Sequence, residues 1–102
     1  MPLVAEAMQR LDREIASARQ QKQTVLKIIH GYGSSGVGGD IRIAVQKRLR
    51  SLADAGEIRS VIFGESWAKS DEASWRVVQA YPRLKEDSDL GAGNRGITIV
   101  LL

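Results

Sequence analysis

The sequence has no cysteine, one histidine, two prolines and, among 102 residues, only two tryptophans, two tyrosines and one phenylalanine. Without cysteine, disulfide frameworks, thiolate metal sites and cysteine nucleophiles fall away together. A lone histidine with no cysteine beside it also leaves zinc without a ligand set. No apolar run is long enough to span a bilayer. The opening Met1-Pro2-Leu3-Val4-Ala5-Glu6-Ala7 meets Glu6 and then Arg10, which interrupts the apolar core a signal peptide needs. A soluble, cytoplasmic protein without membrane contact is therefore expected. The chain shows no internal repeat and no low-complexity tract, and its length suits one domain over residues 1–102. The scarcity of aromatics limits base-stacking platforms. Tyr32 alone is placed by its loop position to stack on a base.

What the chain does have is glycine in one place. Five of its ten glycines, Gly31, Gly33, Gly36, Gly38 and Gly39, fall just after the apolar run Val25-Leu26-Lys27-Ile28-Ile29, with His30 at the junction. Such a loop can take positive φ and come close to a ligand. Its backbone N–H groups, leading into a helix, favour an anion and above all phosphate. The formal charge of +3 and pI near 9.6 fit nucleic-acid contact.

Leu3, Val4, Ala7, Met8, Leu11, Ile15 and Ala18 recur at helical spacing and predict a first helix over 3–22. Val25–Ile29 reads as an inner parallel strand. Asp40 caps a second helix over 40–55, with Ile41, Ala44, Val45, Leu49 and Leu52 as its apolar stripe and Gly56 as its stop. A second strand follows at 58–63, giving a right-handed parallel crossover in an open α/β sheet. Ser70-Asp71-Glu72-Ala73 opens a short, peripheral third helix that Pro82 ends. Arg83 to Gly96 has no apolar period and reads as a long functional or mobile loop. Ile97–Leu102 closes the chain as a strand.

Gly31-x-Gly33-x-x-Gly36 fits a dinucleotide fingerprint, but the ribose-binding acid is absent from the end of the next strand, because Asp54 lies inside the second helix. No Gly-Lys-Ser/Thr follows, so the loop is not a P-loop. His30 is either a general acid/base or a structural histidine fixing the loop. Arg42, Gln46 and Arg50, with Lys47, run along one side of the second helix from the glycine loop, either as a solvated face or as an extension of a phosphate surface. Asp87-x-Asp89-x-Gly91 begins like a calcium loop, but Thr98 stands where the closing Glu belongs, so an acidic solvated loop is expected.

The run Ile-Ile-His30-Gly31-Tyr-Gly33-Ser-Ser-Gly36, followed by Ile41-Arg42-x-Ala44-Val45 and by Gly96-Ile-Thr98-Ile-Val, resembles the Smr (small MutS-related) domain family. The resemblance covers most of the chain, and the strand–HGxGxxG–helix run is its specific part. It implies a small two-layer α/β sandwich, here in αβαβαβ order, a truncated form of a βαβαββ fold similar to the C-terminal domain of translation initiation factor three. It also implies a bacterial subgroup with a segment inserted over 67–94. The family begins with a strand bearing a Leu-Asp-x-His-type motif linked to cleavage. No such motif precedes the first helix, so that strand is expected to be missing and a sheet edge to be left open to another copy in a homodimer.

Three functions follow from these readings. The first is DNA or RNA binding, with His30, Gly31, Tyr32, Gly33, Ser34, Ser35, Gly36, Gly38, Gly39, Arg42, Arg50, Asn94 and Arg95 facing phosphate and no cofactor. The alternative is a nicking endonuclease with His30 as its catalytic acid/base and a divalent metal at Asp40 or the Glu86 to Asp89 loop. The third is a protein-interaction or regulatory domain using the sheet edge and the Trp67 to Tyr81 segment.

Overall fold

A computed structural model describes residues 3–31 and 37–102. Helix α1 (Leu3–Gln20) buries Leu11, Ile15 and Ala18, the residues that recur on one side of it. It closes with Gln23 N–H donating to the Ala18 carbonyl and Lys22 N–H to that of Arg19, a turn that holds Lys22 at φ 60°. Helix α2 (Val37–Asp54) ends in the same way at Gly56, φ 74°, with Glu57 N–H on Leu52 and Gly56 N–H on Ala53. The glycine that the left-handed position favours is present in the second case and replaced by lysine in the first. The stop of α1 therefore carried no sequence signal.

Strands β1 (Val25–Ile29), β2 (Ser60–Phe63) and β3 (Ile97–Leu101) form a sheet in the order β1-β3-β2, with β3 antiparallel to both neighbours. Thr98 stands opposite Ile28 on one side and Phe63 on the other. The elements follow the αβαβαβ order, in a small α/β domain with three helices and a three-stranded antiparallel sheet. The expectation that β1 is an inner parallel strand is corrected. Strands β1 and β2 do run in the same sense, but β3 lies between them, and β1 is an edge strand among the described residues. The central place goes to the strand able to be covered on both faces. In β3 four consecutive residues are buried, whereas β1 carries Lys27 and leaves Ile29 78% exposed.

The two faces of the sheet carry separate cores. On one, α1 and α2 bring Leu11, Ile15, Val45, Leu49 and Leu52 against Ile28 and Val100. On the other, Ile62, Ile97 and Ile99 pack against Trp67 and against Val77 and Val78 of helix α3 (Glu72–Ala80). Asp71 caps α3 by accepting from Ser74 N–H at 3.0 Å. The third helix is therefore not peripheral, because Val77 and Val78 are buried with the wholly buried Trp67 against one face of the sheet. Arg83 to Gly96 is likewise no free loop. Pro82–Glu86 forms a 3₁₀ turn, and Leu84 and Leu90 join the second core.

Between β2 and Trp67, the 3₁₀ turn Gly64–Ser66 brings the chain against the approach to β3. A Cβ at Gly64 would stand 1.8 Å from the Asn94 carbonyl oxygen and 2.7 Å from that of Ile97. Both obstacles are backbone and neither can yield cheaply. Gly64→Ala is expected to lower unfolding stability by about 3 kcal/mol or to prevent folding, as chemical denaturation will show. Gly91→Ala, where φ is 83° but no atom lies within 4 Å, should cost only the conformational term of roughly 1 kcal/mol.

Candidate nucleic-acid interface

His30 ends β1 and its ring is fixed at both nitrogens. Nδ1 donates to the Gly31 carbonyl at 2.6 Å, which leaves Nε2 of the neutral ring to accept from the Thr98 hydroxyl at 2.9 Å. Thr98 is wholly buried, so the pair resembles a nucleophile and base in spacing but offers no reachable nucleophile. The His30 and Gly31 N–H groups both donate to the Gly96 carbonyl at 3.0 Å, and Gly31, at φ 76°, turns the chain out of the sheet. Burial pushes the imidazole below its ordinary value of 6.5. The Gly31 carbonyl opposes this, Arg42 adds to it, and Glu65 opposes it.

The predicted glycine loop divides at the start of α2. Gly38 and Gly39 belong to the first turn of the helix, which starts at Val37, so Asp40 lies inside that turn and is not its cap. Glycine is costly in a helix interior, roughly 1 kcal/mol against alanine, and this made the residues before Asp40 look like loop. Tyr32, Gly33, Ser34, Ser35 and Gly36 lie outside the described residues.

The polar stripe of α2 is half-buried at Arg42 and Gln46 and exposed at Lys47 and Arg50. Arg42 Nη1 lies 3.8 Å from Glu65 Oε2, with side chains 24% and 38% exposed. Arg50 sits over the Phe63 ring, 4.8 Å from its centre. Among the described residues, Arg42 Nε and Gln46 Nε2 are buried without a hydrogen-bond partner. Each such group costs about 1–3 kcal/mol of lost hydration. The stripe thus lies along β2 and the turn after it, reaching the same end of the sheet as His30.

Asn94 and Arg95 approach β3 beside Gly31. Arg95 is exposed. Asn94 is a structural link, its Nδ2 donating to Asp89 at 2.9 Å and its Oδ1 accepting from Gly96 N–H at 2.8 Å. Asp89 also pairs with Lys27, and Asp87 takes both Lys27 Nζ and Trp67 Nε1 at 2.9 Å. Burial draws the Lys27 ammonium down, but the bonds and charges of Asp89 and Asp87 outweigh it and hold the ammonium above 10.5. Asn94 and then Lys27 hold the Asp89 carboxyl below 3.8. The acidic loop is therefore an internal clamp rather than a solvated face. No group of three acidic, histidine or cysteine side chains suited to a metal occurs among the described residues.

The sequence model of the Smr domain family matches residues 3–102, the whole of this arrangement. The chain belongs to the Smr domain family. The crystal structure of the Smr domain of Thermus thermophilus MutS2 is similar to it with a TM-score of 0.57 and 22% identity, over 97% of this chain and 85% of that one. At that identity the likeness speaks for the fold. No curated protein matches. No helix of this Smr domain, among the described residues, is long and apolar enough to cross a membrane.

Two residues of this Smr domain's sheet end escaped the sequence reading, Glu65 and Thr98. Thr98 was legible only as a strand residue, since its pairing with His30 spans 68 positions. Glu65 follows β2 as Gly31 follows β1, a symmetry visible only once the two strands are known to end together.

Because the folded state holds His30 below 6.5 and the unfolded chain does not, the unfolded chain binds more protons as the pH falls through that value. Stability should be full above about 6.5 and decline on acidification below it. His30→Asn should flatten that part of the curve in thermal unfolding followed from neutral to mildly acidic pH.

Proposed function

We propose that this Smr domain binds nucleic acid through its phosphates at the end of the sheet where β1 passes into α2. The observation that carries this reading is the placement of Arg42 beside the start of an 18-residue helix that directly follows the glycine-rich segment. A helix N-terminus offers free N–H groups and a positive dipole end to phosphate. Gly31, Tyr32, Gly33, Ser34, Ser35, Gly36, Gly38 and Gly39 approach the backbone, Arg42 and Arg50 extend the contact, and Arg95 borders it. His30 fixes the exit from β1, its ring bonded to the Gly31 carbonyl and the Thr98 hydroxyl. Nicking with a divalent metal is the lesser reading, since acid/base work by His30 requires giving up Thr98 or the Gly31 carbonyl. Fluorescence titration of duplex and hairpin probes should show log affinity falling linearly with log salt. Arg42→Glu should weaken binding roughly tenfold and reduce the slope by about one. Absence of binding at low salt removes the proposal.

A second reading concerns assembly. Strand β1 is unpaired on its outer side among the described residues, and a groove of about 700 Å³ runs beside it, floored by Leu3, Ala7, Leu11, Ile28, Ile41 and Val45. An open edge of this kind pairs readily with a like strand. We propose that two copies join through β1, each covering the exposed Ile29 of the other. The Trp67 to Tyr81 segment is a poorer docking surface, since Trp67, Val77 and Val78 are spent on the second core. Sedimentation over a wide concentration range should reveal a dimer that Ile29→Lys dissociates. A monomer at the highest concentration refutes it.

A further inference from the structure

We propose that Glu65 stands in the place of a phosphate beside Arg42 and competes with the nucleic-acid backbone for that side chain. The inference rests on the binding reading and adds a residue to it. The two groups are a loose pair, 3.8 Å apart, longer than a hydrogen bond. A guanidinium has five donors in a fixed fork suited to two oxygens at once. This one lies within ion-pair distance of a single carboxylate oxygen, and its Nε is buried with no partner among the described residues. One turn along α2, Gln46 Nε2 is unpartnered as well. Arg42 therefore keeps guanidinium donors that Glu65 does not satisfy.

The carboxylate is placed to give way. Its backbone belongs to the 3₁₀ turn that Gly64 locks against Asn94 and Ile97, so the turn stays fixed. The side chain is 38% exposed and, among the described residues, makes no hydrogen bond of its own. It can swing outward without disturbing the fold. A phosphodiester brings two free oxygens to the Arg42 Nη groups, where Glu65 offers one. While Glu65 is in place, Arg42 is partly neutralised. The domain then holds weakly to isolated phosphate groups and engages where several are presented together.

The experiment compares wild type, Glu65→Gln, Arg42→Gln and the double variant for affinity toward a DNA duplex over a salt series, with Glu57→Gln as a charge-matched control remote from Arg42. Glu65→Gln should bind several-fold more tightly than both wild type and the control throughout the salt series, because Arg42 meets the same phosphate without first giving up a partner. The gain should vanish in the double variant. A gain equal to that of Glu57→Gln reduces the effect to net charge and overturns the proposal, as does weaker binding by Glu65→Gln, which would make Glu65 a support for Arg42. Inorganic phosphate, titrated while the Arg42 Nε–H signal is followed by nuclear magnetic resonance, separates this inference from the binding reading. If no duplex binds but phosphate shifts that signal at lower concentration in Glu65→Gln than in wild type, the competition stands and the nucleic-acid reading falls. No difference between the two proteins overturns the competition itself.

Discussion

Every other feature of the domain depends on the burial of β3 from both sides. Ile97 and Ile99 face the segment between β2 and β3, Val100 faces α1 and α2, and both flanking strands draw their hydrogen bonds from this strand. Burying each of these side chains is worth about 1.5–3 kcal/mol, and Thr98 between them is tolerated because its hydroxyl reaches His30. The last strand of the chain thus closes both cores at once. Strands β1 and β2 cannot pair with each other, because the strand that reconciles them arrives last and enters between them.

The second face needs a cover, and a short chain supplies it from the segment between β2 and β3. That cover is only partly apolar. Trp67 fills the middle, and its indole N–H is held by Asp87, which with Asp89 also takes Lys27 from the opposing strand. Lys27 lies on the face that would otherwise be apolar, with its side chain 27% exposed. Its charge is matched by two carboxylates, Asp87 and Asp89, from the segment between β2 and β3. A pair of this kind adds less to stability than to placement, since only one docking of that segment satisfies all four groups.

The helices and strands were legible because their periods are strong. Val25–Ile29 has the predicted bounds, and Gly56 ends α2 by the backbone geometry that its presence implied. The pairing was not legible, since strand order is decided by which strand can be buried on both faces, and Val25–Ile29 looks as apolar as Ile97–Leu101 until Lys27 is weighed. The Arg83 to Gly96 stretch misled for a related reason. Its charges look solvated in the sequence because their partners, Lys27 and Trp67, lie 60 and 20 positions away from Asp87. At the candidate site the reading found His30 and Arg42 from local spacing, and missed Glu65 and Thr98, whose roles exist only across the sheet.

The same topology explains why the site lies where it does. Because β3 runs against both neighbours, its first residues meet the ends of β1 and β2, and Gly96, His30, Gly31 and Glu65 converge at one edge of the sheet. Two glycines permit this crowding. Gly64 lets the turn after β2 lie on the Asn94 and Ile97 carbonyls, and Gly96 sits with its missing Cβ position 3.3 Å from Gly31 Cα. The chain exit from β1 is thereby anchored on the fold's central strand before it enters the glycine-rich segment.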